Sequence, residues 1–362
     1  MIFFNMKKLG ACVLAASLLA PAAFAATVIK FACLAPRGTA WMNSMEEYAA
    51  AVKTETKGEV VFKIYAGGVQ GDEKDVIRKI RLGQLQAGAF TGVGLGEIAP
   101  AVRVMDSPYL FKNYGEVDFV LSRFDDRFSK MFEEKGYILL GWTEVGFVYI
   151  YTNTPVTKIS DLGAVKMWTW EGDPTAEAAL KALGVSPIPL SITDVMSSLQ
   201  TGLINGVYTT PLAALALQWF TKTKYMFDFS IADSNGAVLI SKAQYDKLTS
   251  AQRQTLLALG KTYFRKLTET ARTDNDKSIA TLKGKGMKIT APASAAAQAE
   301  LDAAGEKARA ALVGRLYPAQ LLKEVEAALS EYRGNQAAGS GGAKGGARKA
   351  EKSGTGKTEP KK

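Results

Sequence analysis

Residues 60–91 read VVFKIYAGGVQGDEKDVIRKIRLGQLQAGAFT, and this stretch contains the pattern that decides the fold. Val60 to Tyr65 is a β-branched and aromatic run, which is typical of a buried strand. After a glycine-rich loop, a helix is predicted from Glu73 to Leu82, closed by Gly83. Ala87 to Thr91 is predicted to be the next strand. Strand, helix and strand in this order indicate a parallel sheet with a right-handed crossover.

The same alternation of strands and helices continues on both sides of this unit. A strand is predicted at 26–34, and Asp173 followed by Pro174 predicts a helix with aspartate as its N-cap. From Ser250 to Lys283 the chain has no proline and one internal glycine, which predicts a helix of roughly 50 Å at 1.5 Å per residue. Further strands are predicted at 137–142, 147–153, 164–170 and 237–241, and further helices at 39–53 and 193–201. The chain is therefore predicted to be a mainly parallel α/β protein in which a long helix braces two lobes.

The composition excludes several classes of catalytic and metal site. The chain has no histidine, which excludes Ser-His-Asp catalysis, Cys-His catalysis and histidine-ligated metals. Its two cysteines, Cys12 and Cys33, lie in no Cys-x-x-Cys pair, which excludes thiolate zinc, iron–sulfur and thioredoxin-type sites. Residues 91–96 resemble a dinucleotide-binding loop only loosely, because the glycine spacing differs and no clear helix start follows. We predict no catalytic residue, no metal and no cofactor.

The N-terminal segment has the pattern of a signal peptide. Two lysines precede an apolar run, Leu9–Ala20, that is shorter than the roughly 20 residues a spanning helix needs. Small residues typical of a cleavage site end at Ala25, so residues 1–25 are predicted to be removed. An N-terminal core helix and lipidation at Cys12 are the alternatives. Cleavage predicts that the protein is exported from the cytoplasm.

The formal net charge of +10 comes mainly from the two ends of the chain. Residues 334–362 contain seven basic and two acidic residues and lack leucine, isoleucine, valine and aromatic residues. Such a segment cannot bury enough apolar surface to offset its chain entropy, so a disordered basic tail is predicted. With the tail and the signal peptide set aside, residues 26–333 carry +3. The charge therefore does not indicate a nucleic-acid partner.

Six blocks of sequence, taken in order, carry a resemblance to a known family. They are YAGGVQGDE (65–73), IRLGQLQAGAF (80–90), SPYLF (107–111), DLGAVKMW (161–168), LKALG (180–184) and LQTGLING (199–206). Together they resemble the extracytoplasmic solute receptors of tripartite ATP-independent periplasmic (TRAP) transporters, the DctP-like substrate-binding proteins. The resemblance covers about residues 26–330. It implies a two-lobed periplasmic binding protein fold with hinge strands, a long helix spanning both lobes, and a ligand held between them.

Two series of strands and helices, joined at 147–153 and 237–241, predict a division into domains, and the resemblance implies a set of partners. Lobe one is expected at 26–143 plus 236–260, and lobe two, with the spanning helix, at 144–235 plus 261–333. The implied partners are a small organic ligand and the membrane permease subunits of a TRAP-type transporter. An accessory periplasmic protein is left open as a further partner, and no nucleic acid is expected.

The sequence departs from the family pattern at the position where a ligand carboxylate is usually bound. Trp168 stands where the family usually has an arginine, and Thr210 stands where an asparagine often precedes the proline. A tryptophan cannot reproduce the bidentate contact of a guanidinium with a carboxylate. Trp168 and Trp170 share one face of the predicted strand. These observations predict an aromatic, largely apolar cleft, unless the tryptophans belong to the core of a lobe.

The expected function is a periplasmic substrate-binding protein that captures a small apolar or amphipathic organic solute for a TRAP-type secondary transporter. A sensory role, in which the protein presents its ligand to a receptor, is not distinguished from delivery by the sequence. Two further alternatives stay open. One is a receptor for a carboxylate or zwitterion with a relocated cationic clamp such as Arg37. The other is an exported enzyme on the same fold, acting through a pair of carboxylates. The candidate ligand-binding residues are Arg37, Trp41, Gln70, Thr91, Tyr109, Trp142, Glu144, Trp168, Trp170, Tyr208 and Thr210.

Overall fold

The strands form the frame of the molecule, in a computed structural model that describes residues 26–346, with side chains described to residue 336. The predicted signal peptide, 1–25, and the last part of the predicted tail, 347–362, lie outside the described residues. The strands are β1 (Thr27–Ala32), β2 (Val60–Tyr65), β3 (Ala87–Thr91), β4 (Tyr137–Thr152), β5 (Trp168–Trp170), β6 (Ile188–Leu190), β7 (Gly206–Thr209), β8 (Tyr225–Ser241) and β9 (Lys288–Thr290).

Side chains cap the beginnings of many helices, as the sequence predicts for Asp173. That carboxylate accepts hydrogen bonds from the backbone N–H groups of Thr175 and Ala176. The helices are α1 (Ala40–Glu55), α2 (Glu73–Arg81), α3 (Gly92–Ile98), α4 (Tyr114–Glu134), α5 (Pro174–Ala182), α6 (Val195–Thr201), α7 (Pro211–Ala216), α8 (Lys242–Tyr245), α9 (Ser250–Gly284), α10 (Ala295–Leu312) and α11 (Ala319–Gly346). Within residues 26–346, none of these helices is long and apolar enough to cross a membrane.

One mixed sheet runs through both lobes in the strand order β2-β1-β3-β8-β4-β7, with β9 beside β8. We call the part around β1–β3 lobe one and the part around β5–β7 lobe two. Strand β1 pairs in parallel with β2 and β3, as the β-α-β prediction requires. Strand β8 is antiparallel to both β3 and β4, so the prediction of a mainly parallel sheet is wrong for the strands between the lobes. Antiparallel neighbours can be connected without the crossover helix that parallel strands usually require.

Strands β4 and β8 connect the lobes as one continuous antiparallel pair. The pairing extends from Tyr137 opposite Ser241 to Thr152 opposite Tyr225. The sequence predicted two strands in place of β4; the structure has one strand with a register shift between Glu144 and Gly146. Gly146 has φ 110°, a conformation that glycine adopts without strain. The strand therefore bends where it passes from one lobe to the other.

Helix α9 contacts the core of both lobes, which confirms the predicted spanning helix. In lobe one, Phe264 and Leu267 pack in the same buried cluster as Met45. At the other end, Leu282 packs in the cluster that contains Trp168. The expected domain boundary at 260 does not coincide with a change of neighbours, because residues beyond it still pack in lobe one.

The C-terminal helix α11 lies against α4 and not in lobe two, where 319–333 was expected. Apolar side chains of α11 share a buried cluster with those of α4. Arg333 of α11 also pairs with the buried Glu116 of α4, with Nη2 2.8 Å from Oε2. The helix continues to Gly346, so the first part of the predicted disordered tail is helical. We therefore correct both the lobe assignment of 319–333 and the start of the tail.

Candidate ligand-binding cleft

A cavity of about 230 Å³ lies between the lobes, beside the paired strands β4 and β8. Lobe one contributes the loop before α1, the end of β3 and the start of α3. Lobe two contributes β5, the start of α5, the end of β7 and helix α7. The carboxyl ends of strands and the beginnings of helices meet here, which is the usual position of a ligand in an open α/β sheet.

One wall of the cavity is aromatic. Trp168 is 1% exposed and stacks on Tyr208, with ring centroids 4.8 Å apart and planes 20° apart. Trp219 meets Trp168 edge to face at 5.4 Å, and the Trp170 ring lies 6.1 Å away. All four side chains line the cavity. Trp168, Trp170 and Trp219 also belong to the buried core of lobe two. The sequence left open whether the tryptophans line the cleft or pack in a core, and these three rings do both.

Hydrogen bonds fix the orientation of the two tryptophans of β5. The indole N–H of Trp168 donates to the backbone carbonyl of Leu190 on β6 at 3.0 Å. The backbone N–H of Trp170 donates to the Tyr208 hydroxyl at 3.1 Å. The indole N–H of Trp170 donates to Asp72 at 2.9 Å, and Asp72 belongs to lobe one. The aromatic wall is therefore rigid, which favours binding because little side-chain freedom is lost when a ligand packs on it.

Asp72 joins the two lobes at the edge of the cleft. It is the N-cap of α2 in lobe one, where it accepts the N–H of Glu73 at 2.6 Å. From lobe two it accepts, besides the Trp170 indole, the hydroxyl of Ser191 at 2.6 Å and the N–H of Ile192 at 3.2 Å. Hydrogen bonds to a carboxylate are among the stronger ones. Asp72 thus connects a helix of lobe one directly to the ligand-facing strand of lobe two.

The cavity lining also includes most of a buried chain of polar groups. Arg103 is 5% exposed, and its Nη2 donates to Asp173 Oδ1 at 2.9 Å across the two lobes. Its Nε lies 2.8 Å from Asp106 Oδ2. Asp106 Oδ1 accepts the backbone N–H of Asn235 at 3.2 Å, and the Asn235 amide donates to Asp233 Oδ2 at 2.9 Å. We call Arg103, Asp106, Asp173 and Asp233 the acidic wall.

Burial dominates the protonation of this wall. Desolvation raises the pKa of Asp106 to about 6, although the neighbouring Arg103 acts in the opposite direction. Desolvation also raises the pKa of Asp233 well above its usual range, and the nearby carboxylates of Glu144 and Asp106 raise it further. The wall therefore holds more carboxylates than its one guanidinium can balance.

The beginning of α3 already carries a carboxylate of the protein itself. Glu73 Oε1 accepts the N–H of Thr91 at 2.8 Å, and Oε2 accepts the N–H of Gly94 at 2.7 Å. Burial raises the pKa of Glu73 to about 7, while these hydrogen bonds act in the opposite direction. The sequence predicted no clear helix start after Thr91, and the structure corrects this, since α3 begins at Gly92. A dinucleotide phosphate would have to displace Glu73 from this position.

The structure brings six of the eleven candidate residues together around the cavity. They share a position on its lining, and Thr91 and Thr210 stand directly before helices α3 and α7. The six are Trp41, Thr91, Trp168, Trp170, Tyr208 and Thr210. Thr210 accepts the N–H of Ala213 as N-cap of α7, so the residue that replaces the family's asparagine has a local structural contact of its own.

Two candidates from the segment between the lobes point away from the cavity, and we correct their assignment. The indole N–H of Trp142 donates to Asp125 at 2.6 Å, and the ring packs against Phe128 and Phe132 of α4. Glu144 pairs with Arg272 of α9, with Oε2 2.6 Å from Nη2. Both side chains alternate away from their cavity-lining neighbours on β4, as expected from the two-residue period of a strand.

The other three candidates also lie outside the cavity lining. Arg37 pairs with Glu46 on the protein surface, so it supplies no relocated clamp in the cleft. Gln70 accepts a hydrogen bond from Lys79. Tyr109 has φ 57° and packs against Phe229, with ring centroids 5.1 Å apart. Loop residues are the hardest to orient from sequence, because no periodicity fixes the direction of their side chains.

Sequence reasoning missed the acidic wall. Asp173 was identified only as an N-cap, and Arg103, Asp106 and Asp233 were not singled out. The Arg-x-x-Asp spacing of 103–106 was the available signal, because residues three apart share one face of a helical turn. The contact between Arg103 and Asp173 joins parts of the chain that only the tertiary fold brings together.

Two α/β lobes joined by antiparallel strands and a long helix, with a cavity between them, define a solute-binding protein of the periplasmic type. The chain belongs to the bacterial extracellular solute-binding proteins of family 7, the DctP family, whose family model matches residues 31–310. This match confirms the TRAP-type solute receptor that the six sequence blocks indicated.

Relatives and solved structures agree with this family. The chain is 25% identical to the C4-dicarboxylate-binding periplasmic protein of Rhodobacter capsulatus over 76% of this chain and 84% of that protein. It is 23% identical to the sialic acid-binding periplasmic protein of Vibrio cholerae over 74% of this chain and 84% of that protein. The sugar acid-binding protein of Advenella mimigardefordensis in complex with galactonate has the same fold, with a TM-score of 0.79, 18% identity, and coverage of 84% of this chain and 98% of that one.

Proposed function

We propose that this receptor captures an apolar or amphipathic organic molecule in the periplasm, after removal of residues 1–25, and delivers it to a TRAP-type membrane permease. The observation that carries the proposal is Trp168, which occupies the position where the resemblance implies a carboxylate-binding arginine. Its ring is buried between Tyr208 and Trp219 on the cavity wall. A flat aromatic surface at this position favours an apolar group of the ligand.

The charges of the cleft support the same ligand class. Among the described residues that line the cavity, Arg103 is the single cation, and it is already paired with Asp106 and Asp173. A ligand carboxylate at Arg103 would be placed beside two protein carboxylates. Burying like charges together is strongly unfavourable. The acids that the relatives bind are therefore poor candidates for this cleft.

The size of the apolar contribution is sufficient for useful affinity. Aromatic groups bury about 150–250 Å² each. At roughly 25 cal/mol per Å² of apolar surface removed from water, one aromatic ring of a ligand gains about 4–6 kcal/mol before the cost of association is subtracted. Additional apolar contacts from α5, α7 and β8 bring micromolar affinity within reach.

Binding assays on the mature chain, residues 26–362, test the proposal. Isothermal calorimetry would compare two groups of compounds: amphipathic molecules that share a phenylpropyl group, and the acids succinate, galactonate and sialic acid. We expect at least one phenylpropyl compound to bind with micromolar affinity and none of the three acids to bind. Trp168→Phe keeps an aromatic ring but loses the hydrogen bond to Leu190 and part of the stacking surface. It should therefore lower the affinity for the phenylpropyl compound that binds by about tenfold.

The matched control is Trp142→Phe, which changes an indole that lies outside the cavity. It should leave every affinity within about twofold. Tight binding of a small carboxylate that is unaffected by Trp168→Phe would refute the proposal and support the alternative of a relocated cationic clamp. Turnover of any bound molecule, followed by mass spectrometry, would instead support the alternative of an exported enzyme.

A further inference from the structure

The acidic wall contains one cation and three carboxylates. Arg103 contacts both Asp173 and Asp106. Asn235 links Asp106 to Asp233, because its backbone N–H donates to Asp106 and its side-chain amide donates to Asp233. All of these side chains are buried, and the four charged ones line the cavity. A buried wall cannot keep all three carboxylates ionised: without a bound cation, protonation removes the excess negative charge, and a bound cation would favour the ionised forms.

Asp233 is the member of the wall with an open position. It is 1% exposed, and its Oδ2 accepts the hydrogen bond from Asn235. Its Oδ1 is buried and has no hydrogen-bond partner among the described residues. The hydroxyl of Thr175, which also lines the cavity, is likewise unpaired within residues 26–336. Buried polar atoms are rarely left unpaired, so each such atom on a cavity wall points to a missing donor or acceptor.

The neighbouring cations are not free to stabilise an ionised Asp233. Arg103 is held by Asp106 and Asp173. Arg272, whose positive charge lowers the pKa of Asp233, makes its own ion pairs with Glu144 and Asp118. The carboxylates of Glu144 and Asp106 act in the opposite direction and disfavour the ionised form of Asp233. A donor at the open oxygen therefore favours the ionised form of Asp233 most strongly when the donor itself carries a positive charge.

We propose that Asp233 and the rest of the acidic wall bind a positively charged N–H head group of the ligand, such as an ammonium group. This inference rests on the proposed function, because it places the head group in the same cleft whose aromatic wall receives the apolar body. The ligand class is then an amphipathic organic cation, or a zwitterion whose cationic end faces Asp233. An ammonium group donates to Asp233 Oδ1 and, as an opposite charge, favours the ionised carboxylate over the protonated form that burial otherwise favours, so the carboxyl proton is released to solvent on binding.

Three probes with the same apolar body isolate the head group. They are 3-phenylpropan-1-amine, which is a cation at pH 7.5, the neutral 3-phenylpropan-1-ol, and the anion 3-phenylpropanoate. We expect the amine to bind at least about tenfold tighter than the alcohol, because hydrogen bonds to ionised groups are roughly twice as strong as neutral ones. The anion should bind more weakly than the alcohol.

Substitution of Asp233 then tests the assignment to this residue. Asp233→Asn keeps the shape and the acceptor for Asn235 but removes the charge, and it should cost the amine about 30-fold in affinity while the alcohol changes less than threefold. The control is Asp228→Asn, an exposed carboxylate on the same strand, which should leave all three affinities unchanged. Asp233→Asn should not lower the melting temperature, because burial already favours the uncharged form of Asp233 and the amide is also uncharged.

The outcomes separate this inference from the proposed function. If the alcohol and the amine bind equally and Asp233→Asn alters neither, the head-group site is refuted while the amphipathic ligand stands. If the anion binds best, or if none of the three binds, both are refuted. Should Asp233→Asn fail to fold, the order of the probes on the unmodified chain and the loss of the amine preference in Asp106→Asn decide the question.

Discussion

Replacing Arg272 by methionine should be strongly destabilising, because this guanidinium holds a buried carboxylate where β4 crosses between the lobes. Arg272 Nε donates to Glu144 Oε1 at 2.9 Å and Nη2 to Oε2 at 2.6 Å. The same guanidinium makes a second bidentate pair with Asp118 of α4 at 2.7 and 2.8 Å. The side chain of Glu144 is 3% exposed, whereas that of Asp118 is 58% exposed.

The magnitude follows from this difference in burial. Removing one partner of a buried ion pair costs about 3–5 kcal/mol, because the other charge is left unpaired in the interior. The exposed pair with Asp118 adds at most about 1 kcal/mol. Arg272→Met should therefore lower the free energy of unfolding by about 4 kcal/mol. Adding Glu144→Gln should recover more than half of this loss, because the double variant no longer buries a charge.

Urea unfolding at two pH values tests the reasoning. Burial raises the pKa of Glu144, and Arg272 opposes that shift, so removing Arg272 raises the pKa further. A raised carboxyl pKa means that the folded state binds the proton more tightly than the unfolded state. The penalty of Arg272→Met is then complete above the folded pKa and becomes smaller as the pH falls and Glu144 is protonated. A loss below about 1 kcal/mol at pH 7.5, or a loss that grows toward pH 5, would refute the argument.

Three further predictions concern the cleft. In Gly92→Ala the new Cβ would lie 1.7 Å from a neighbouring carboxylate oxygen, so the urea midpoint should fall by the equivalent of about 1–3 kcal/mol, whereas Gly163→Ala, which meets nothing within 4 Å, should leave it unchanged. Trp170→Phe removes the indole donor that joins the lobes, so it should weaken an amphipathic ligand about tenfold and reduce compaction in small-angle scattering; Trp142→Phe should do neither. Burial raises the pKa of Cys33 to about 12, so a disulfide reagent at pH 8 should label the folded mature chain far more slowly than the urea-unfolded one; equal rates would contradict the buried thiol.

Local signals in the sequence were sufficient for the elements that local physics determines. The Asp173-Pro174 pair placed the start of α5, and Gly83, Gly184 and Gly202 each end a helix with φ between 72° and 74°, as their positions predicted. The long helix α9 was recognisable because nothing in its sequence interrupts it. Part of the aromatic wall was also predictable, since Trp168 and Trp170 follow the two-residue period of a strand, whereas Trp219 was not singled out.

Features that depend on the tertiary fold were not predictable in this way. Most of β8 escaped detection because Asp233, Ser234 and Asn235 interrupt its apolar pattern, and these polar residues are tolerated only because the cavity and Asp106 lie beside them. The position of Arg103 in the cleft depends on a contact with Asp173, which is distant in sequence. Trp142 and Glu144 had the right residue types for a ligand site, but their partners lie on α4 and α9.

The hydrogen bonds that Asp72 accepts from Trp170, Ser191 and Ile192 have a consequence for the kinetics of delivery. The protein makes these bonds to itself, so opening the cleft must break them whichever molecule is inside. Every cargo must cross this same part of the opening barrier before it leaves. The dissociation rate constants of different cargoes should therefore differ less from one another than their affinities do. The residence time of the cargo then depends largely on the receptor's own chain. A membrane partner that draws Asp72 away from the indole would accelerate the release of every cargo by a similar factor.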